Sequence, residues 1–303
     1  MEIINLDHKI NDKYETGIAL GNFDGFHIGH TELIKDMVEM SRARGLKSSL
    51  LLFENHTKST ISNKKPSMLT SNEQKYQLAE DLGVDIIFKL KFTKEIMSLS
   101  ENDFIESILV DKISCKLAVV GFDYRFGHKA KGTSESLKEI GKTYGIETKI
   151  IEPVLVDEEV ISSTKIREFI KQGQMEKVAQ LLGRNYAIVG EVVSGDRRGT
   201  KMGIPTANLK VDESYAIPIK GVYATDTIVD GKLYKSITDI GVNPTFEGNK
   251  MKIETNIFDF DEMIYGENIE VIFKEYMRDD IRFDSKEDLI AQMNHDIEKA
   301  KTL

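Results

Sequence analysis

A change of texture at Gly183 restricts the fold more than any other feature. Before it, apolar strand-like runs alternate with stretches of helical period. Ile18-Ala19-Leu20 is a short apolar run ended by Gly21. Beyond it Leu33, Ile34, Met37 and Val38 fall on one helical face until Gly45 stops the pattern. Ser49 to Phe53 reads as a buried strand. A helix starts at Thr70-Ser71, with Glu73 and Gln74 placed for a capping box, and ends at Gly83. Further strands are expected over 86–88, 117–121 and 148–151. Strand and helix in alternation predict a parallel sheet with helices on both faces, a Rossmann-like α/β domain.

From Ser163 two short helices follow, split by Gly173. After Gly183, β-rich segments succeed one another with no helix between them, over 187–193, 221–229, 233–237, 252–258 and 269–273. Asp230-Gly231 joins two of them as a tight hairpin turn. Five or six such strands predict a small antiparallel β-barrel. A last helix starts at Ser285, with Asp288 three residues on, and presents Leu289, Met293 and Ile297 on one face. At 303 residues two domains are expected, 1–183 and 184–303.

Composition works by exclusion. A net charge of −9 argues against a nucleic-acid or membrane-surface partner, so any phosphate recognition must be local. No run approaches the ~18 apolar residues of a membrane span, and the acidic start Met1-Glu2 is unlike a signal peptide. The sole cysteine, Cys115, permits no internal disulfide and reads as a small core residue, which suits a reducing cytoplasm.

Two segments carry chemistry. The first, Gly21-Asn22-Phe23-Asp24-Gly25-Phe26-His27-Ile28-Gly29-His30, lies between the first strand and first helix, the end of a parallel sheet where phosphates bind. Gly21 and Gly25 permit close backbone approach. His27 and His30 can lie on one side of a nucleotide whose phosphates meet the free N–H groups of a helix start. Such a pair, together with a metal ion, would hold a triphosphate in line and neutralise charge growing on a leaving pyrophosphate. Two surface histidines, or two metal ligands, are the competing reading. Far along the chain, Ile161-Ser-Ser-Thr-Lys-Ile-Arg167 opens a helix with Ser163 and Arg167 on one face, suited to phosphate oxygens; a plain N-cap is the alternative.

The second segment, Gly195 to Asn208, follows the first barrel strand. Its glycines make a flexible loop beside Lys201, without the Walker ending of a P-loop. Pro205 fixes the backbone so that Thr206 and Asn208 present two oxygens to one side, hard donors of the kind Mg²⁺ takes. A turn with polar residues is the alternative.

These motifs, with Val120-Gly-Phe-Asp-Tyr-Arg-Phe-Gly127, resemble in order and over nearly the whole chain the bacterial bifunctional riboflavin kinase/FAD synthetase family. Gly221 to Ala224, Gly241 to Phe246, Glu254 to Phe260, Tyr265-Gly266 and Arg278 to Phe283 continue the match. The resemblance implies two uses of ATP: phosphorylation of riboflavin to FMN with release of ADP, and adenylylation of FMN to FAD with release of pyrophosphate. It implies nucleotide contacts within Gly21, Phe23, Asp24, Gly25, His27 and His30, joined by Ser163, Thr164 and Arg167, and a flavin-side role for Asp123. For the kinase it implies Gly195 and Lys201 around ATP, Thr206 and Asn208 on Mg²⁺–ATP, and Glu254 as the base facing the ribityl hydroxyl. Glu254 could otherwise be a strand carboxylate facing solvent. The chain departs from the family pattern at Phe53-Glu-Asn-His-Thr57, where Phe-x-Pro-His-Pro is usual. It departs also at Thr200, Asp239 and Asp280, where Arg, Asn and Glu are usual. A monofunctional FAD synthetase with a weakened kinase domain, or a non-catalytic flavin or ATP sensor, are the alternative readings.

Overall fold

The computed structural model describes residues 1–7, 14–54, 67–195, 204–212, 214–245 and 248–303, without the side chains of 243–250. Two compact units result. One comprises Met1–Pro66 and Ser71–Ser162; the other comprises Ser67–Thr70 and Ser163–Leu303.

In the first unit six parallel strands form one sheet: β1 (Glu2–Asn5), β2 (Thr16–Leu20), β3 (Lys47–Phe53), β4 (Ile86–Leu90), β5 (Cys115–Gly121) and β6 (Glu147–Ile151). Their order is β1-β4-β3-β2-β5-β6. Residues of alternate parity feed two separate cores. Ile18, Leu20, Ala118 and Val120 pack with Phe104, Ile105, Ile108 and Leu109 of the helical stretch 101–110 on one face. Ala19, Leu50, Leu52 and Val119 pack on the other with Leu33, Ile34, Met37 and Val38 of α1 (Ile28–Ala43). Both faces are thus covered, which is why β2 is buried at every residue. The helix expected at Thr70-Ser71 is α2 (Asn72–Asp81). Ser71 accepts from the Gln74 N–H at 3.1 Å, and the Gln74 side chain accepts from the Ser71 N–H at 2.9 Å, closing the capping box. Strand β1 was not legible: it is a half-exposed edge of four residues with no apolar period. Helix α3 (Ser134–Thr143) covers the Phe104 face through Leu137.

The second unit opens with α4 (Ser163–Lys171) and α5 (Met175–Leu182), joined through Gly173 at φ +72°. Six antiparallel strands then close a barrel: β7 (Tyr186–Val193), β8 (Ala207–Val211), β9 (Gly221–Val229), β10 (Lys232–Thr245), β11 (Gly248–Ile257) and β12 (Asn268–Arg278). Around the barrel the order is β7-β8-β11-β10-β9-β12. Asp230 and Gly231 make the β9–β10 turn with both φ angles positive, as that hairpin requires. β8 was missed, because a stretch headed by Pro205 reads as a turn; it begins two residues after that proline. Helix α5 packs on β7 and β12, so residues 163–182 belong with the barrel unit. Met68 bridges Tyr215 in the same unit, with Met68 N–H donating to the Ser214 carbonyl and Ala216 N–H to that of Met68.

The barrel interior is partly polar. Thr227, Ser236, Thr225, Thr238 and Thr255 form one chain of hydroxyl–hydroxyl hydrogen bonds of 2.7–2.9 Å, every member buried. A hydroxyl can both donate and accept, so the three inner members, Ser236, Thr225 and Thr238, each use both capacities within the chain, and the ends, Thr227 and Thr255, make one bond each. Outside, α6 (Lys286–Thr302) is capped by Ser285 accepting from the Asp288 N–H. The expected stripe of Leu289, Met293 and Ile297 is half-buried, and the buried residues of this helix are Asp296 and Ala300. Asp296 accepts from Arg278 of β12 at 2.7 and 2.9 Å. Among the described residues no helix is long and apolar enough to cross a membrane.

Candidate active sites

In the first unit the loop from β2 into α1 stands at the carboxyl end of the sheet. β2 has β3 on one side and β5 on the other, the position where strand order reverses and α/β sheets bind ligands. The loop is strained. Phe23 and Phe26 have φ of 42° and 44°, in a region costly for bulky residues, and both rings are buried. Burial of the two rings offsets that strain. A Cβ at Gly21 would lie 3.1 Å from the Phe23 ring, and Gly25 sits at φ 88°, so both glycines are needed for this path. Asp24 is buried within it.

His27 is the N-cap of α1, its Nδ1 accepting from the His30 N–H at 3.3 Å. An acceptor Nδ1 leaves Nε2 as the protonated nitrogen of a neutral ring. The His27 and His30 rings stack with centroids 3.6 Å apart at 17°. A Cβ at Gly29 would make only ordinary contact with the His27 ring, 3.4 Å from Nδ1. Phe23 supports His30 from beneath, edge-on at 5.3 Å. Burial pushes the His30 pKa well below its usual value, and the neighbouring His27 and Lys75 push the same way, so His30 is neutral at pH 7. Its Nδ1 is buried without a hydrogen-bond partner. Such an orphan polar atom points to a group supplied from outside the chain.

Asp123 is exposed just beyond β5, the neighbour of β2, with its Oδ1 against Gly121. Ser163, Thr164 and Arg167 belong to the second unit. Ser163 opens α4, Thr164 is exposed, and Arg167 Nε donates to the Ser67 carbonyl at 2.6 Å.

The other constellation is a row across the barrel. Strand register places Val193, Asn208, Glu254, Asp239, Val222 and Arg278 side by side on successive strands β7, β8, β11, β10, β9 and β12. Because side chains alternate along a strand, Glu254 faces away from its neighbour Thr255, which joins the interior hydroxyl chain. Thr206 Oγ1 donates to Glu254 Oε1 at 3.4 Å, and Lys252 Nζ pairs with Glu254 Oε2 at 2.9 Å. A Cβ at Gly195 would fall 2.2 Å from Asn208 Nδ2, so Gly195 is what admits the Asn208 amide. Asn256 Nδ2 holds the Pro205 carbonyl at 2.6 Å, fixing the approach to Thr206. Lys201 and His56, with Arg197, Arg198 and Thr200, lie outside the described residues.

Sequence reasoning missed one residue and two pairings around this row. Lys252 was findable, being two residues from Glu254 on one strand face. The Asp239–Asp280 and Arg278–Asp296 pairings were not, since each joins residues brought together only by barrel closure and helix docking. Among the described residues no three His, Cys, Asp or Glu side chains are arranged to hold a metal ion. Thr206 and Asn208 offer neutral oxygens, a donor type that fits Mg²⁺ already carried by phosphates.

Comparison with known proteins bears on both units. The FAD synthetase family model matches residues 9–165 and the riboflavin kinase family model residues 182–303. A Listeria monocytogenes protein named bifunctional riboflavin kinase/FMN adenylyltransferase is 37% identical, over 98% of this chain and 96% of its own. Proteins of the same name from Bacillus subtilis and Escherichia coli K12 are 32% and 31% identical, over 99% and 98% of this chain and 96% of each relative. A crystal structure from Streptococcus pneumoniae, described as a macrolide-efflux protein, superposes with a TM-score of 0.91 at 31% identity, covering 100% of both chains.

Proposed function

The chain belongs to the bifunctional riboflavin kinase/FMN adenylyltransferase family, and from that premise we propose which residues carry each of its two reactions. It transfers the γ-phosphoryl group of ATP to riboflavin, giving FMN and ADP, and the adenylyl group of ATP to FMN, giving FAD and pyrophosphate. We assign adenylyl transfer to residues 1–183 and phosphorylation to 184–303, an assignment supported by the ranges of the two family models.

In adenylyl transfer the FMN phosphate attacks the α-phosphorus of ATP while the bond to the bridging oxygen of the pyrophosphate breaks. No base is required, since the nucleophile is already an anion. The residues contribute position and charge. The His27 Nε2–H donates to the triphosphate, and His30, a neutral ring in the tautomer that carries its proton on the unpartnered Nδ1, donates from that atom to the same anion. Gly21, Phe23, Asp24 and Gly25 shape the cradle, and the N-terminus of α1 adds its N–H groups. Ser163, Thr164 and Arg167 are the proposed donors to the β- and γ-phosphates, and Asp123 faces the flavin side.

In phosphorylation Glu254 accepts the proton of the ribityl hydroxyl as its oxygen attacks the γ-phosphorus and ADP leaves. Thr206 and Lys252 each hold one oxygen of Glu254, which fixes the carboxylate plane. Thr206 and Asn208 are the proposed ligands of Mg²⁺, with Gly195 and Lys201 beside the nucleotide; the ion supplies charge neutralisation on the phosphates. A cytoplasmic setting, where ATP is made, fits a chain whose one thiol is buried.

The observation that carries this reading is the orphan Nδ1 in a stacked histidine pair at a helix start, in a chain that also aligns Asn208 with Glu254. Incubating the purified protein with riboflavin, ATP and Mg²⁺ and resolving the flavins tests it. FMN followed by FAD is expected. FAD from supplied FMN without any FMN from riboflavin would leave only the adenylyl half standing.

A further inference from the structure

Next to Glu254 in the row stands a residue to which the phosphoryl transfer just described gives no role. Asp239 is directly opposite Glu254 in the β10–β11 register, so the two side chains share a face. On its other flank is Val222 of β9, which offers no charge. Asp280, just past the end of β12, brings a second carboxyl within hydrogen-bond reach of Asp239. Arg278 of β12 is the nearby cation, but its guanidinium is committed to Asp296 of α6 through two hydrogen bonds. Lys252 is committed to Glu254. One oxygen of Asp239, Oδ1, is buried with no hydrogen-bond partner. Three carboxyl groups therefore adjoin one another; Lys252 pairs with Glu254 and Arg278 bonds to Asp296, and among the described residues neither cation bonds to Asp239 or Asp280.

Two carboxylates within hydrogen-bond reach cannot both carry full charge without a counter-ion; one proton between them removes the repulsion and supplies the bond. We propose that Asp239 and Asp280 share one proton and that Asp239 is a positioning residue for the kinase, so that phosphorylation of riboflavin declines as the shared proton is lost. Asp239 is separated from the proposed Mg²⁺ ligand Asn208 by the whole of β11, so its charge acts on Glu254 and on the incoming phosphate. While protonated, it is a neutral neighbour that leaves Glu254 aligned by Thr206 and Lys252. Once ionised, it places a like charge directly opposite Glu254 and a further negative charge where the anionic γ-phosphate must come. Burial first, then Asp280 and Glu254, push the Asp239 pKa up to about 7, with Arg278 opposing. The transition thus falls in the physiological range. Adenylyl transfer uses no member of this row and has no share in it.

The inference rests on the kinase reading, and the test separates the two. With the full-length protein at saturating riboflavin and Mg²⁺, kinase kcat/KM for ATP is measured from pH 5.5 to 9, alongside adenylylation of supplied FMN. The expected loss for the kinase is on the order of tenfold between pH 6 and 8.5, the consequence of one proton released across neutrality. Asp239→Asn, neutral at every pH, removes that alkaline decline, and the adenylylation profile does not change. Asp280→Asn, which deletes the coupled charge, moves the kinase midpoint to lower pH and serves should the first variant not fold. Independently of turnover, the infrared C=O stretch of a protonated carboxylic acid is present at pH 6 and absent from Asp239→Asn. A wild-type decline retained in Asp239→Asn, or no such band at pH 6, overturns the proposal. Absence of kinase activity at every pH with the band present sinks the kinase reading and leaves the shared proton standing.

Discussion

The two sites are built on opposite plans. The proposed adenylyl site's core is a single stretch of ten residues, Gly21 to His30, in which a strained loop runs into the first turn of a helix. The proposed kinase site lies on a row that takes one residue from each strand of a closed barrel, from Val193 to Arg278, and Asp296 of a helix pairs with Arg278 at its end. Local geometry makes the first; strand register makes the second. A one-residue slip of β11 against β10 would turn Glu254 inward and Thr255 outward, so the interior hydroxyl chain and the exterior row specify each other. A local site tolerates change elsewhere and fails at its own residues. A distributed site can also fail from behind.

The sharpest break of this comparison is Glu254→Gln, which keeps the shape and removes the proton acceptor. Kinase turnover is expected to fall on the order of 10²-fold or more, with riboflavin and ATP affinity little changed and adenylylation of FMN retained. A collapse of riboflavin affinity with turnover intact would make Glu254 a binding residue and not the base. His27→Ala is the mirror experiment. Losing the donor and the helix N-cap together should reduce FAD formation roughly 10²-fold or more while FMN formation continues. If both activities drop together in a folded protein, the division of labour is wrong.

Thr225→Val tests whether the barrel site fails from behind. Thr225 bonds to both Ser236 and Thr238, so the substitution leaves two buried hydroxyls short of a partner, at a cost of about 1–3 kcal/mol. Kinase activity should then be lost at lower urea than in the parent protein, with adenylylation lost where it was before. Coincident shifts of the two would show that the halves unfold as one. The smallest effect is expected from Gly195→Ala. Its new Cβ displaces the Asn208 amide, raising the KM for Mg²⁺–ATP in the kinase about tenfold, a change of ~1.4 kcal/mol. Titration with ATP at fixed riboflavin measures it.

The same contrast explains what was legible in the sequence. Gly21 to His30 could be read because every requirement sits within ten residues: glycines for the path, aromatics to bury it, and histidines at a helix start. The capping box of Ser71 and Gln74 was legible for the same reason. The strands of the barrel were mostly visible, but their neighbours were not, since nothing in residues 206–208 or 252–254 states that closure will lay them side by side. Reading the proline-led stretch as a turn hid β8 and, with it, the register that pairs Asn208 with Glu254. Asp296 carried no signal at all. A helical aspartate normally faces water, and only the docking of α6 on the barrel makes it the partner of Arg278.

Residues 67–70 have a consequence in time. They belong to the barrel unit although they lie between two stretches of the other, and Met68 pairs with Tyr215, 147 positions later (215 − 68 = 147). A ribosome adding roughly 5–20 residues per second makes Tyr215 about 7–30 s after Met68. Until then the backbone groups of Met68 that will bond to Ser214 and Ala216 have only water. The first unit's sheet has all its strands once residue 151 is made, whereas the Met68 bridge must wait for 64 residues more, so the last contact of that early segment is set by chain made well after its neighbours (215 − 151 = 64).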